Sequence, residues 1–546
     1  MGGTGSGGGA EARGSRGRVV MLVDNGVNGD SRVQKVARSA AEAGWEVILL
    51  GRSPHGAAQT WRLGSAEVRL LPMPDPLARR RHEFRRAWLR WPLAYPPNGI
   101  APHRAQWVKA WQTDIKMREA QLILATRAGH PNPGLARRLR VERLAAQLLR
   151  RWVSFRYWQL TRARKGRKLR GPWDRLYTVF WQRVQGGRAW RRLEPGLWDY
   201  ELAYGPVVDE LQPDLIHAHD FRMIGVGARA KIRAAVAGRD VKLVWDAHEF
   251  LPGIKPWQDN ARWLPAHRAH EKEYVPYADA AITVSDGLAE LLQREHNLAR
   301  RPYVVLNAPA ADHGPVDEDV PMPVLRELCG VGPEVPLVVY SGAAAPQRGL
   351  MLMIEAMPQL PEVHVALVVN KPDGPFMRDV VARARQLRVA DRLHVLPYVP
   401  HWQVVPFLSG ANVGVIPIQH FPNHEIALIT KFFEYSHARL PIVVSDVRTM
   451  AETVRGTGQG EVFRAEDVAD YVRAVRAVLA DPERYRAAYD KPGLLDSWTW
   501  EAQAKVLDEV YTRLLPDRSV AAVTPEVPGS VSADRVPDAR PAESMA

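Results

Sequence analysis

Hydrophobic positions along the chain fall mainly into short unbroken runs separated by stretches with helical spacing. Residues 18–23, 46–50 and 68–71 are such runs, and residues 31–43 carry apolar side chains on one helical face. Short continuous runs predict strands covered on both sides, as in a parallel sheet. After a long interruption the alternation resumes, with strands predicted at 215–218, 242–245, 280–284 and 304–306. These complete one doubly wound α/β domain. A second series at 336–341, 363–369, 393–396, 413–416 and 442–444 predicts another domain of the same kind, and a helical pattern at about 498–515 closes the series. Two open sheets of this type aim the carboxyl ends of their strands at one shared cleft, where ligands are expected.

At 546 residues the chain exceeds one ordinary core, in keeping with two domains. The expected divisions are a disordered leader over 1–16, a first domain over 17–310 with an insertion at about 75–195, a linker over 311–323, a second domain over 324–496, a helix over 497–515 and a disordered tail over 516–546. Cys329 is the only cysteine, which excludes an intramolecular disulfide framework and fits a reducing compartment. The glycine- and arginine-rich start has no apolar core region of a secretion signal, and no run of about 18 apolar residues appears. A cytoplasmic protein is therefore expected, with a peripheral position on the inner face of the plasma membrane as an option.

That option comes from charge. Residues 79–192 hold 29 Lys plus Arg against 5 Asp plus Glu, a local excess of 24 that leaves the rest of the chain at −10 within the overall +14. Nine of the 18 tryptophans lie in the same stretch. Arg and Trp together suggest a surface that meets phosphate groups of lipid or nucleic acid. Val141, Leu144, Ala145, Leu148, Trp152 and Phe155 share one helical face, with arginines within and around its edges. Docking on an anionic membrane is one expectation; packing of that face on the first domain is the other. No nucleic-acid recognition module is evident, so nucleic acid is not the expected partner.

Chemistry-bearing residues gather at the predicted strand ends. In 423–446, Lys431 and Glu434 stand three residues apart at a predicted helix start capped by Thr430 and closed by Pro441. A diphosphate could take the lysine charge and the free backbone donors, and Glu434 could accept from both hydroxyls of a ribose. In 24–32, Gly26, Asn28 and Gly29 precede a helix capped by Asp30 or Ser31 and leading to Arg32; the spacing is not that of a GxGxxG fingerprint. His217 and His219 point to one face of a strand that ends at Asp220, and Asp246, His248 and Glu249 end the next. This group could line the cleft or hold a metal ion. Gly342 allows close backbone approach after the first strand of the second domain, and Arg348, just before Gly349, can grip a diphosphate in bidentate fashion.

The segments PDLIHAHD, DAHEF, DAAITVSD, NAP, YSGAAAPQRG, KFFEY before Leu440-Pro441, and WEAQ follow one another in the order of GT-B glycosyltransferases of family 4, which the chain resembles. The resemblance implies two facing Rossmann-like domains and transfer of a sugar from a nucleotide-diphosphate sugar to a hydroxyl of a glycan, lipid-linked or small-molecule acceptor, with retention of configuration and without a metal or other cofactor. It implies that Lys431, Glu434, Arg348 and Gly342 hold the donor, that His219 contacts the donor sugar, that Asp220 orients an acceptor hydroxyl or an imidazole, and that the final helix crosses back to the first domain. The chain departs from the pattern at Ala343, where an arginine is frequent, at Ile426, with Glu425 one place from the usual glutamate, and at Arg439, where glycine usually ends the helix. A sugar-nucleotide epimerase of the same architecture and a non-catalytic protein are the alternatives.

Overall fold

A computed structural model describes residues 16–54, 56–73, 100–157, 169, 171–254, 260–310 and 321–518. Most of the leader and tail, part of the linker, and residues 74–99 and 158–168 of the insertion lie outside the described residues.

The first sheet has eight strands in the order β3-β4-β2-β1-β5-β6-β7-β8. They are β1 (Arg18–Leu22), β2 (Glu46–Arg52), β3 (Gln59–Leu63), β4 (Ala66–Leu71), β5 (Leu215–His219), β6 (Lys242–Ala247), β7 (Ala280–Thr283) and β8 (Tyr303–Val304). All neighbours are parallel except β3 and β4, which pair antiparallel at the edge. The second sheet is wholly parallel, in the order β11-β10-β9-β12-β13-β14. Its strands are β9 (Leu337–Gly342), β10 (His364–Val369), β11 (Leu393–Leu396), β12 (Val413–Ile416), β13 (Ile442–Ser445) and β14 (Gly460–Phe463). Buried positions run without a break through β5, β9, β12 and β13, and through β1 after Arg18, the mark of strands covered on both faces.

Edge strands β3 and β14 were not foreseen, for a shared reason: β3 is largely exposed and β14 only half-buried, so neither carries a continuous apolar run. β8 stops at Val304, short of the predicted end.

Within the insertion, Ile100–Arg127 and Pro133–Tyr157 form a helical hairpin around Ile115, Leu139 and Ala146. The first of these helices rests on the Asp220–Val236 helix through Met117, Ala120 and Ile232. Trp190 anchors the far end of the insertion: it is fully buried, its Nε1 donates to Glu273 Oε2 at 2.6 Å, and neighbouring Arg191 bonds both Glu273 and Asp114. The face bearing Val141, Leu144, Leu148 and Trp152 is exposed, so it does not pack on the first domain. Phe155 falls where side chains lie outside the described residues.

The last helix, Trp500–Leu514, belongs to the first core. Trp500, Leu507, Val510 and Tyr511 pack among Val19, Met21, Val47 and Leu49. Thr499 caps it by accepting from Ala502 N at 3.3 Å, and Trp500 Nε1 donates to Ser39 Oγ at 2.6 Å. Each fully buried aromatic or aliphatic side chain contributes about 1.5–3 kcal/mol.

Candidate active site

The cleft between the sheets holds a cavity of about 970 Å³, within the range of small-molecule sites. Asp30, Arg32, His248, Glu249 and Asn307 come from the first domain; Gly342, Ala343, Arg348, Tyr398, Thr430 and Lys431 come from the second.

Its first wall stands on a buried polar network. Arg32 grips Asp246 through both carboxylate oxygens, at 2.9 and 3.1 Å, and donates to Val305 O at 2.7 Å. His217 and His219 stack at 4.3 Å beneath, each 3.4 Å from Asp246, and the Tyr511 hydroxyl lies 2.5 Å from His217 Nδ1. His248 Nε2 sits 3.1 Å from Asp246, and its Nδ1 is 3.4 Å from Asp220. Burial raises the Asp246 carboxyl, yet Arg32 and the surrounding imidazoles outweigh it and hold this group well below the usual carboxylate range. Burial pulls the His219 imidazole down to about 3, helped by His217. For His248 burial acts downward too, but the Asp220 and Asp246 carboxylates prevail and raise it to about 9, so it carries a proton at neutral pH. Burial pushes Asp220 up to about 7, and its backbone holds φ of 61°, a strained value for a non-glycine residue.

His219 was expected to contact the donor sugar from the cleft. It is fully buried at the end of β5, shielded from the cavity, and the imidazole that reaches the cavity is His248. Asp220 is not among the cavity-lining residues either; it stands beside His248 with its side chain partly exposed. In the 24–32 segment, Asp30 is the helix cap, accepting from Val33 N, and together with Arg32 it lines the cavity. Gly26, Asn28 and Gly29 do not; Gly29, at φ 89°, serves the turn instead. His217, His219 and Asp246 offer ligand atoms within 4.8 Å of one another, a spacing a metal ion could use. They do not fit one well, because both Asp246 oxygens already accept from Arg32 and a cation would face its guanidinium.

The second wall is built for anions. Gly349 holds φ of 74°, and a Cβ there would stand 1.8 Å from Pro417 O, so only glycine allows the turn that turns Arg348 into the cavity. The helix Thr430–His437 directs its amino end at the same space. Its cap position is Ile429, with no side-chain cap bond; Thr430, expected as the cap, is the first helical residue, and its Oγ1 accepts from Asn307 Nδ2 at 3.1 Å. Lys431 Nζ lies 2.8 Å from Glu434 Oε2 and 5.7 Å from the Tyr398 ring centre. The helix ends at His437, before Pro441, and Arg439 itself takes the left-handed conformation at φ 54° that glycine was expected to supply.

Glu425 does not replace the glutamate missing at Ile426. It accepts from Arg448 N at 2.9 Å and pairs with His420, outside the cavity wall. Ile426 is buried against the first domain, and its carbonyl accepts from Ser285 Oγ at 2.5 Å. Phe250 N donates to Asn423 Oδ1 across the same seam. Tyr340, Tyr398 and Asn307 line the cavity without having been singled out as site residues; Asn307 and Tyr340 begin the NAP and YSGAAAPQRG segments, and Tyr398, in a Pro-bracketed loop after β11, left the cue of an aromatic at a strand's carboxyl end.

Residues 330–491 match the family described as glycosyl transferases group 1, and residues 139–308 match glycosyltransferase family 4, together more than half of the chain. The glycogen synthase of Mycobacterium tuberculosis is 26% identical over 307 residues, 55% of this chain and 69% of that protein. The D-inositol 3-phosphate glycosyltransferase of Geodermatophilus obscurus is 26% identical over 334 residues, 58% and 70% respectively. Among solved structures, sucrose-phosphate synthase from Thermosynechococcus elongatus superposes with a TM-score of 0.57 at 15% identity, covering 92% of this chain and all of that one. Anabaena HepE in complex with UDP-glucose gives 0.51 at 12% identity, covering 91% and 100%. Two facing parallel sheets, a shared cleft and these family matches agree, and neither the epimerase nor the nucleic-acid alternative is favoured: the chain belongs to the group 1, family 4-like glycosyltransferases of GT-B fold.

Proposed function

We propose that the cavity binds a nucleotide-diphosphate sugar and passes its sugar, with retention of configuration, to an acceptor hydroxyl in the synthesis of an envelope polysaccharide or glycolipid. The observation that carries the donor assignment is the meeting of Arg348, Lys431 and the Thr430–His437 helix start on one wall of the cavity. Fixed cations and a helix amino end stabilise the charge that grows on a departing diphosphate. Glu434, buried one turn behind Lys431 and paired with it, is not itself among the cavity-lining residues; in this reading it turns to a ribose when the donor binds, and Gly342 leaves room for the backbone to approach the phosphates. Protonated His248, facing them from the first wall, orients the sugar or the leaving oxygen. Asp30, Arg32 and Glu249 form the acceptor side, and Asp220, beside His248, orients its imidazole. No metal or other cofactor enters this reading. Relatives support the substrate class: HepE was solved with UDP-glucose, and a mannosyltransferase of Mycolicibacterium smegmatis, 26% identical over 309 residues, is named as GDP-mannose-dependent and acts on a phosphatidylinositol monomannoside.

Thermal unfolding with UDP-, GDP-, ADP- and dTDP-sugars tests the donor assignment. A ligand at one hundred times its Kd adds about 2.7 kcal/mol to the folded state, so one family of donors raises the midpoint clearly. A flat response to all four at millimolar concentration refutes the assignment.

A further inference from the structure

We propose that the insertion docks the enzyme on an anionic lipid bilayer through the outer face of the Pro133–Tyr157 helix, with the exposed apolar stripe of Pro172–Gln185 as a second contact. The first helix buries Leu139, Ala146 and Val153, spaced by sevens, and packs by way of the first two against the Ile100–Arg127 helix. Its opposite side carries Val141, Leu144 and Leu148, each 62 to 68% exposed, followed by Trp152 at the same helical spacing. A helix already anchored by one apolar face has no packing need for a second. Arg137, Arg138, Arg140 and Arg151 stand exposed around that second stripe.

The Pro172–Gln185 helix repeats the design. Asp174 and Thr178 are buried, Asp174 pairing with Arg262, while Trp173, Leu176, Phe180 and Val184 are exposed on the other side. Two helices of one insertion thus each turn an apolar stripe outward, more exposed apolar surface than a face meeting only water retains.

Charge selects the occupant. The Pro133–Tyr157 helix has seven arginines against one acid, Glu142, and that acid is held by Arg118 and Arg138. A second copy of the same face would repel it. Nucleic acid would engage the arginines but gives Leu144, Leu148 and Val184 nothing to enter. A bilayer with anionic headgroups satisfies both: the aliphatic and aromatic side chains enter the interface and the guanidinium groups meet phosphates. Each cation near such a surface multiplies affinity about fivefold. Among the described residues no helix is long and apolar enough to cross a membrane, so the contact is interfacial.

Co-sedimentation of the full chain with phosphatidylcholine vesicles, with and without phosphatidylglycerol, tests this independently of sugar transfer. Binding is expected to require phosphatidylglycerol and to fall as salt shortens the screening length from about 8 Å to about 3 Å. Leu144→Gln with Leu148→Gln leaves the charge untouched at two exposed sites and is expected to cut vesicle partition roughly tenfold or more. Arg140→Glu with Arg151→Glu is expected to do the same through charge alone. Equal partition to neutral and anionic vesicles, no partition, or partition unmoved by both variants overturns the proposal. So does a self-associated form that the leucine variant dissolves, or DNA binding by a protein that ignores vesicles.

Discussion

Replacing Glu434 by Ala separates two jobs that the carboxylate can perform. It lies 2.8 Å from Lys431 Nζ, so it neutralises the lysine, and in the donor complex it is proposed to hold the ribose. Losing a charge-assisted hydrogen bond costs about 1 to 3 kcal/mol, roughly 5- to 160-fold in Kd. Freeing Lys431 acts the other way, by about 0.2–1 kcal/mol for a partly exposed pair, so a single affinity is ambiguous. Calorimetry of the wild type and Glu434→Ala with a nucleoside diphosphate and its 2′-deoxy form removes the ambiguity, because the lysine acts equally on both. The variant is expected to lose at least about fivefold more affinity for the ribose form than for the deoxy form. Stability is expected to change by little more than the loss of one i,i+3 pair, about 0.2–0.5 kcal/mol. Equal changes for the two ligands would refute the ribose contact and leave Glu434 as a partner of Lys431 alone.

Two other outcomes test the first wall. His219→Ala empties a fully buried site and removes a contact to Asp246, so urea unfolding is expected to show a loss of about 2–4 kcal/mol, while turnover per folded molecule falls less than in His248→Ala; the reverse order of activities would return His219 to the catalytic role. His248, raised from an unfolded value of about 6.5 to about 9, contributes stability that is complete below the lower value and fades as pH rises through the higher one. Relative to His248→Gln, the wild type is expected to lose urea stability between about pH 6.5 and 9, and a constant difference across that window contradicts the Asp220 and Asp246 pairing.

What could be read from the sequence divides along burial. Strands covered on both faces, such as β1, β9 and β12, announce themselves by short, nearly unbroken apolar runs; β3, exposed along one edge, offers only Gln-Thr-Trp-Arg-Leu. That Lys431 and Glu434 share one helical face was legible, because it depends on helical spacing alone; that they pair with each other is what the structure adds. The depth of His219 was not, since alternation along β5 says which face a side chain takes and nothing of what covers it. Asn307 was visible only as the first residue of the NAP segment: its place between Lys35 and Thr430 depends on two distant helices meeting. At Arg439 local preference gave way, as the surrounding fold imposed a left-handed turn on a residue with no liking for it.

The returning helix sets an order on synthesis. Tyr511 reaches His217 at 2.5 Å, and Trp500, Leu507 and Val510 complete the core that begins at Val19, so this core spans nearly five hundred positions of chain. A ribosome releases residues from the amino end at about 5–20 per second. The first sheet therefore emerges early but waits, with one side covered only in part by the Ser31–Glu42 helix, until the whole second domain has been made and the last helix leaves the exit tunnel. The second domain, whose strands span Leu337 to Phe463, has its sheet complete before that helix appears. The domain that begins the chain is thus the one whose core closes last, and for the length of that wait its apolar face is open to chaperones or to other nascent chains.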